Sequence, residues 1–234
     1  MTNTERIQAN NAELREAIEL AETLPDAEAG GESKPDPSKD YQRVEYITSD
    51  GDQYLITDII ADNSTGAELT ASYPSQTDCV TMGSTTSTSN ARFYLPYLLS
   101  ASSIYYGYNT GNSITFASSK NTKYISCLNF LNNRAAALYD ANGLAKGGQV
   151  MTRSVTKQTA PIGIFCYNRG DARGAIRPFT LYGARISQGY EIVRDYVPCY
   201  RKSDGEIGLY DMVTGQFLTN QGTGEFGKGE DIEW

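Results

Sequence analysis

From residue 41 to the end of the chain, short segments rich in Val, Ile, Tyr, Thr and Phe alternate with polar residues. Turn-forming clusters punctuate them: SDGD (49–52), DNSTG (62–66), NTGN (109–112), DANG (140–143), RGDARG (169–174), SDGE (203–206) and VTG (213–215). Strands of period two, broken about every 8–12 residues by turn residues, predict an all-β sandwich or barrel. No long helical period interrupts them, which excludes a parallel βαβ fold. About 13–15 strands over this length suit two large antiparallel sheets packed face to face.

Individual hairpins can be read. AAALYDANGLAKGG (135–148) turns at Asn142-Gly143, YRKSDGEIGLYD (200–211) at Asp204-Gly205 and LYDMVTGQFLTN (209–220) at Thr214-Gly215, since Gly accepts the positive φ of tight hairpins. Leu209 and Phe217 are expected to face inward. The apolar run IGIFCYN (162–168) is expected to be a strand buried on both faces or nearly so.

The first forty residues differ. Thr2 and Glu5 have capping-box spacing, and Ile7, Asn11, Leu14, Ile18 and Ala21 follow at intervals of four and three. That is a coiled-coil seam with an Asn as register specifier, predicting a helix over 3–24 that assembles the chain, as a homotrimer, or attaches it to a partner. Leu24-Pro25 ends it. PDAEAGGESKPDPSKD (25–40) has three Pro, two Gly and many charges, and reads as a linker. The organisation expected is a helix (1–24), an acidic linker (25–40) and a β-sandwich domain (41–234).

Composition narrows the chemistry. The 234 residues carry 20 Lys and Arg against 28 Asp and Glu, a net charge of −8, which argues against nucleic acid and anionic membranes as partners. Residues 1–40 hold 4 of the basic and 10 of the acidic groups, so much of the acidity belongs to the leader. There is no His, which removes His-based catalysis and His-ligated metal sites. Cys79, Cys127, Cys166 and Cys199 form no C-x-x-C pair and read as buried thiols. No apolar run is long enough to span a membrane, and the polar, acidic opening MTNTERIQANNAELREAIEL is no signal peptide.

Several segments resemble a known family. YQRVEYITSDGDQYLITDIIADNSTGAELTASY (41–73) is similar to the opening of concanavalin A-like, laminin-G-like jelly-roll domains of phage and gut-bacterial surface or tail proteins. ARFYLPY and SIYYGYN (91–109), ALYDANG (137–143) and the stretch IRPFTLYGARISQGYEIVRDYVPCYRKSDGEIGLYDMVTGQFLTNQGTGEF (176–226) resemble the family's later strands. The resemblance covers nearly all of 41–234. It implies a two-sheet jelly roll in the concanavalin A-like lectin fold. It further implies a virion-surface or tail protein of a phage, made in the cytoplasm of its bacterial host without a signal peptide. Members of the family often bind carbohydrate, and some bind calcium or cleave glucans.

Candidate chemistry is sparse. Glu191 and Asp195 are the nearest match to a glycosidase carboxylate pair, but they are four residues apart and have no third carboxylate. GKGEDIEW (227–234) reads as a polar tail. Asp50, Asp52, Asp62 and Asn63 fit turn chemistry better than a calcium cage. Neither a metal nor a cofactor is expected. For sugar binding, Tyr faces stand in for the scarce Trp. In SIYYGYN, Ile104, Tyr106 and Tyr108 share one face and Tyr105 the other; which set is core stays open, as it does for Tyr94 and Tyr97. The polar-aromatic loop Tyr167, Asn168, Arg169, Asp171 and Arg173 joins Tyr106 and Tyr108 as the candidate ligand-binding set. The reading is a non-enzymatic adhesion module for a bacterial surface glycan or glycoprotein, held to other virion proteins by its helix. The alternatives are a capsid or tail decoration protein with no ligand of its own and a glycan hydrolase.

Overall fold

Alternating sequence becomes alternating burial. In Leu55–Ile60 the residues Leu55, Thr57 and Ile59 are buried and those between them are not, and Thr65–Ser72 repeats the pattern through Ala67, Leu69 and Ala71. The computed structural model describes residues 36–73, 79–86, 92–100, 103–108, 113–151, 156–174 and 176–234, without the side chains of 99, 100, 108, 113 and 114. The chain divides into two units, Met1–Pro35 and Asp36–Trp234, and every described residue lies in the second. The expected helix over 3–24, with Ile7, Asn11, Leu14, Ile18 and Ala21, therefore lies outside the described residues, as does most of the expected linker.

The strands run β1 (Tyr41–Arg43), β2 (Ile47–Ser49), β3 (Leu55–Ile60), β4 (Thr65–Ser72), β5 (Cys79–Val80), β6 (Met82–Thr85) and β7 (Arg92–Ser100). They continue with β8 (Ser103–Tyr108), β9 (Ser113–Ala117), β10 (Lys123–Leu128), β11 (Ala135–Asp140), β12 (Ala145–Val150), β13 (Pro161–Ile164) and β14 (Tyr167–Asn168). The last are β15 (Arg173–Gly174), β16 (Phe179–Gln188), β17 (Glu191–Arg201), β18 (Ile207–Asp211), β19 (Phe217–Thr219) and β20 (Gly227–Lys228). This exceeds the expected number because several are two-residue pieces made where the chain changes partner.

Two sheets result. The first has the order β12-β11-β10-β4-β16-β17-β18-β19, with β1 on β17, β2 on β16 and β20 on β2. The second has the order β15-β14-β6-β7-β8-β9, with β5 on β7 and β13 between β3 and β6. Among the described residues every pairing is antiparallel except β14 with β6. One core is shared: Leu69, Ala71 and Leu181 come from the first sheet, and Phe93, Leu95, Ile104 and Tyr106 from the second. The architecture is the expected two-sheet β-sandwich.

The three hairpins turn where the glycines predict, with Gly143, Gly205 and Gly215 at φ +77°, +77° and +78°. Two local readings need correction. The run 162–168 is not one strand: Phe165 takes a left-handed φ of +68°, which ends β13 and redirects the chain into β14. That conformation costs about 1–3 kcal/mol in a residue with a Cβ. Burial offsets it, since the Phe165 ring stacks on Phe179 at 4.1 Å and packs on Phe226 at 5.0 Å. Leu209 does face the core, but Phe217 pairs with Tyr210 on the opposite face of the sheet and lies 4.9 Å from the Tyr41 ring.

The polar tail is also docked. Val44 bridges Asp231, the Gln42 amide donates to the Ile232 carbonyl at 2.9 Å, and the Trp234 indole N–H donates to the Tyr41 carbonyl at 3.2 Å. Residues 230–234 thus line the free side of β1. At the other end of the unit, Pro37–Lys39 forms a single 3-10 turn capped by Asp36, and the Lys202 N–H donates to the Asp40 carbonyl.

Candidate functional site

Strand register settles which tyrosines are core. Phe93 and Leu95 on β7 and Ile104 and Tyr106 on β8 are fully buried. Tyr94, Tyr97 and Tyr105 alternate with them and are half-buried on the outer face of the second sheet. Tyr106 is therefore not available to a ligand: its ring packs edge-on against Phe116 and its hydroxyl donates to the Ala137 carbonyl at 3.3 Å, while burial pushes its phenol far above the ordinary range. Tyr108 pairs with Phe93 in the backbone ladder, and its side chain lies outside the described set.

On that outer face one row of residues crosses five strands. Gly174 pairs with Tyr167, Tyr167 with Gly83, Gly83 with Tyr94, and Tyr94 with Gly107. The glycines make room for the rings. A Cβ on Gly174 would stand 2.3 Å from the Tyr167 hydroxyl oxygen, one on Gly83 would stand 2.8 Å from Tyr94 Cδ1, and one on Gly107 would stand 3.3 Å from Tyr94 Cδ2. A ring that occupies the space above a cross-strand glycine covers bare backbone. Tyr167 and Tyr94 are inclined by only 32° with centroids 5.7 Å apart. Tyr97 and Tyr105 continue the surface, 6.4 Å from Tyr94 and 6.0 Å from each other respectively. Burial raises the Tyr94 phenol above its ordinary value, against a hydrogen bond with Thr85 and the positive charge of Arg92.

The loop after Tyr167 separates by role. Asn168 is buried and structural: its Nδ2 donates to the Pro161 carbonyl at 2.8 Å and its Oδ1 accepts from the Gly170 N–H at 2.9 Å. Arg169 and Asp171 are exposed and form an ion pair at 3.5 Å. Arg173 pairs with Asn168 and so follows the inward row; it donates to the Gly170 carbonyl at 2.8 Å and sits 5.9 Å from the Tyr54 ring. Of the candidate ligand set, Tyr167 belongs to the tyrosine surface, Arg169 and Asp171 flank it, and Asn168 and Arg173 hold the loop. Tyr94, Tyr97 and Tyr105 were missing from that set. Two depressions elsewhere, one beside Ser38, Lys202 and Trp234 and one between Glu206, Asn220 and Glu225, contain no comparable aromatic pair.

Glu191 and Asp195 are separated by a bulge in the β16–β17 ladder: Glu191 is exposed at the start of β17, opposite Gln188. Burial raises the Asp195 carboxyl, and Asp195 pairs in register with Arg185, which is itself bound to Glu68 through two hydrogen bonds of 3.0 and 2.5 Å. Asp62 accepts from the Ser64 N–H and hydroxyl at 2.8 and 2.7 Å, which is turn chemistry. Among the described residues no group of three or more Asp, Glu, Cys or His could hold a metal ion. All four cysteines are buried and unbridged, and burial pushes the Cys127, Cys166 and Cys199 thiols up to about 12.

No protein-family model and no curated protein sequence matches the chain. Solved structures do match its fold. One is the crystal structure of a "putative carbohydrate binding protein" from Bacteroides ovatus, at 12% identity and a TM-score of 0.50. The match covers 82% of this chain and 62% of that protein, so the chain spans about three-fifths of its structural relative's length. At this identity the likeness is one of fold: two packed sheets in a β-sandwich.

Proposed function

We propose that this protein is a non-enzymatic adhesion module that takes a bacterial surface glycan on the Tyr167–Gly83–Tyr94–Gly107 row of its second sheet. The observation that carries the reading is the glycine-floored tyrosine pair. Sugar rings present flat C–H faces, and aromatic rings at a sheet surface are what such faces stack on. The carbohydrate-binding description of the Bacteroides ovatus relative is consistent with it. Such a surface holds one sugar weakly, so useful adhesion needs several copies. The seam Ile7, Asn11, Leu14, Ile18 and Ala21 supplies them as a homotrimer, and the setting implied by the resemblance over 41–234 is a phage virion or tail.

The test is binding of the full-length protein to a glycan array and to intact bacterial cells. Binding lost in a Tyr94→Ala, Tyr167→Ala double variant that keeps its far-UV spectrum and melting transition supports the reading. Undiminished binding by that variant, or no binding to any glycan or cell, overturns it. Light scattering of the full-length chain is expected to give three chain masses, and one chain mass removes the trimer.

A further inference from the structure

The charge of the chain is not distributed evenly over the fold. Residues 79–170 contain eight Lys and Arg and a single acid, Asp140, within a chain whose net charge is −8. That stretch builds β5 to β9, β13 and β14 of the second sheet, among them four of the five strands of the tyrosine row, as well as β10 to β12 of the first. Asp140 itself belongs to the Asn142-Gly143 hairpin of the first sheet and is paired with Lys146 at 3.2 Å.

Two of the cations are near the row in sequence, and register places one of them. Arg92 precedes Tyr94 by two residues, so it shares its face, and it pairs with Thr85. On the other side of β6, β14 runs parallel, with Tyr167 opposite Gly83 and Asn168 opposite Ser84. Arg169 follows Asn168 directly, where the chain leaves β14 for the turn that the Arg169 N–H closes on the Ala172 carbonyl at 3.0 Å. Each of the paired tyrosines thus has an Arg two residues from it in sequence, Arg92 for Tyr94 and Arg169 for Tyr167.

We infer that the saccharide held by this surface is anionic, bearing a carboxylate or sulfate that Arg92 and Arg169 contact while its ring lies on Tyr94 and Tyr167. The inference rests on the glycan reading above and specifies its ligand class. A guanidinium fork suits a planar carboxylate or a sulfate, and charge-assisted hydrogen bonds are the strong ones. Asp171 fits the same scheme. It is paired with Arg169 at 3.5 Å and its side chain is 76% exposed, so it is an anion already seated on one of the two cations and one that an incoming anion displaces.

The experiment titrates the full-length protein with one oligosaccharide backbone in three forms: neutral, uronate-containing and sulfated. The expected result is that at least one acidic form binds about tenfold more tightly than the neutral one at low salt, an advantage that shrinks toward 0.5 M NaCl. Arg92→Gln and Arg169→Gln each reduce that preference several-fold, whereas Asp171→Asn increases it. Loss for the uronate alone, or for the sulfate alone, identifies which anion is read. Equal binding of all three forms that still depends on Tyr94 overturns the anionic assignment and leaves the glycan reading standing. No binding by any form, together with silent arrays, overturns both.

Discussion

Tyr94 and Tyr167 belong to strands that do not pair with each other, yet their ring centroids are 5.7 Å apart. Strand β6 lies between them, so two inter-strand spacings, about 9.6 Å, separate their backbones. The rings close that gap by leaning in over Gly83, the residue both of them pair with. The aromatic surface is therefore a property of a glycine as much as of two tyrosines.

Substituting the glycines should separate stability from binding. A Cβ on Gly83 would meet the Phe93 carbonyl oxygen at 2.6 Å, and backbone cannot yield cheaply, so Gly83→Ala is expected to cost about 1–3 kcal/mol. A Cβ on Gly174 would come nearest to the phenol end of Tyr167, at 2.3 Å from its hydroxyl oxygen, and that side chain can swing away. Gly174→Ala is expected to cost less than about 1 kcal/mol and to weaken glycan binding. Denaturant midpoints and glycan titration measure the two effects. Wild-type binding by Gly174→Ala would remove Tyr167 as a contact.

The two faces of β7 and β8 make opposite predictions. Tyr106→Ala leaves a cavity between the sheets and is expected to cost about 3–5 kcal/mol, with binding per folded molecule retained. Tyr94→Ala removes a half-exposed ring and is expected to cost much less while abolishing binding. Equal stability losses for the two variants would mean that the outer ring is as much a part of the core as the inner one.

Acid should act through two carboxyls of opposite sign. Hydrogen bonds from Arg194 hold the Asp58 carboxyl below its usual range despite some burial. Its folded pKa is depressed, so its contribution is present above the unfolded value of 3.8 and is lost as pH falls through the folded one. Burial raises the Asp195 carboxyl, so that group favours the folded state below 3.8 and opposes it as pH rises through its folded value. Asp58→Asn is expected to lower stability at pH 7 by under about 1 kcal/mol, since its side chain is half exposed. Asp195→Asn is expected to raise it, and both differences should fade below pH 4. Melting curves between pH 3 and 7 follow this; a destabilised Asp195→Asn at pH 7 would show that Arg185 outweighs burial.

Much of the sandwich was legible because its signals are local. Period-two alternation in Leu55–Ile60 and Thr65–Ser72, and the glycines at 143, 205 and 215, act within a few residues of themselves. The tyrosine row was not legible, because its members, at 83, 94, 107, 167 and 174, become neighbours only through pairing across five strands. In SIYYGYN the period separates Tyr105 from Tyr106, but only the second sheet packing on the first decides which of them is inside. Phe165 was misread for a related reason. An apolar run records burial and not φ, and a left-handed Phe is held there by distant rings of Phe179 and Phe226. Charge order could have offered a clue, since the stretch 79–170 is nearly free of acids while the rest of the chain is not.

The docked tail gives a last prediction, because Trp234 is the single Trp of the chain. Its indole N–H bonds to the Tyr41 carbonyl and its ring meets Tyr210 edge-on at 5.8 Å, and β1 in turn pairs with β17 of the first sheet. The tail is therefore tied to the sheet through β1, and its release requires that strand to lose an edge. Trp emission and far-UV ellipticity are expected to change in one coincident transition on denaturation, as they do when local and global unfolding are a single step. Trp234→Ala, which removes a ring that is 36% exposed, is expected to cost about 1–2 kcal/mol. An emission change that precedes the loss of ellipticity would instead mark residues 230–234 as a separately melting segment, held more weakly than their bonds to β1 imply.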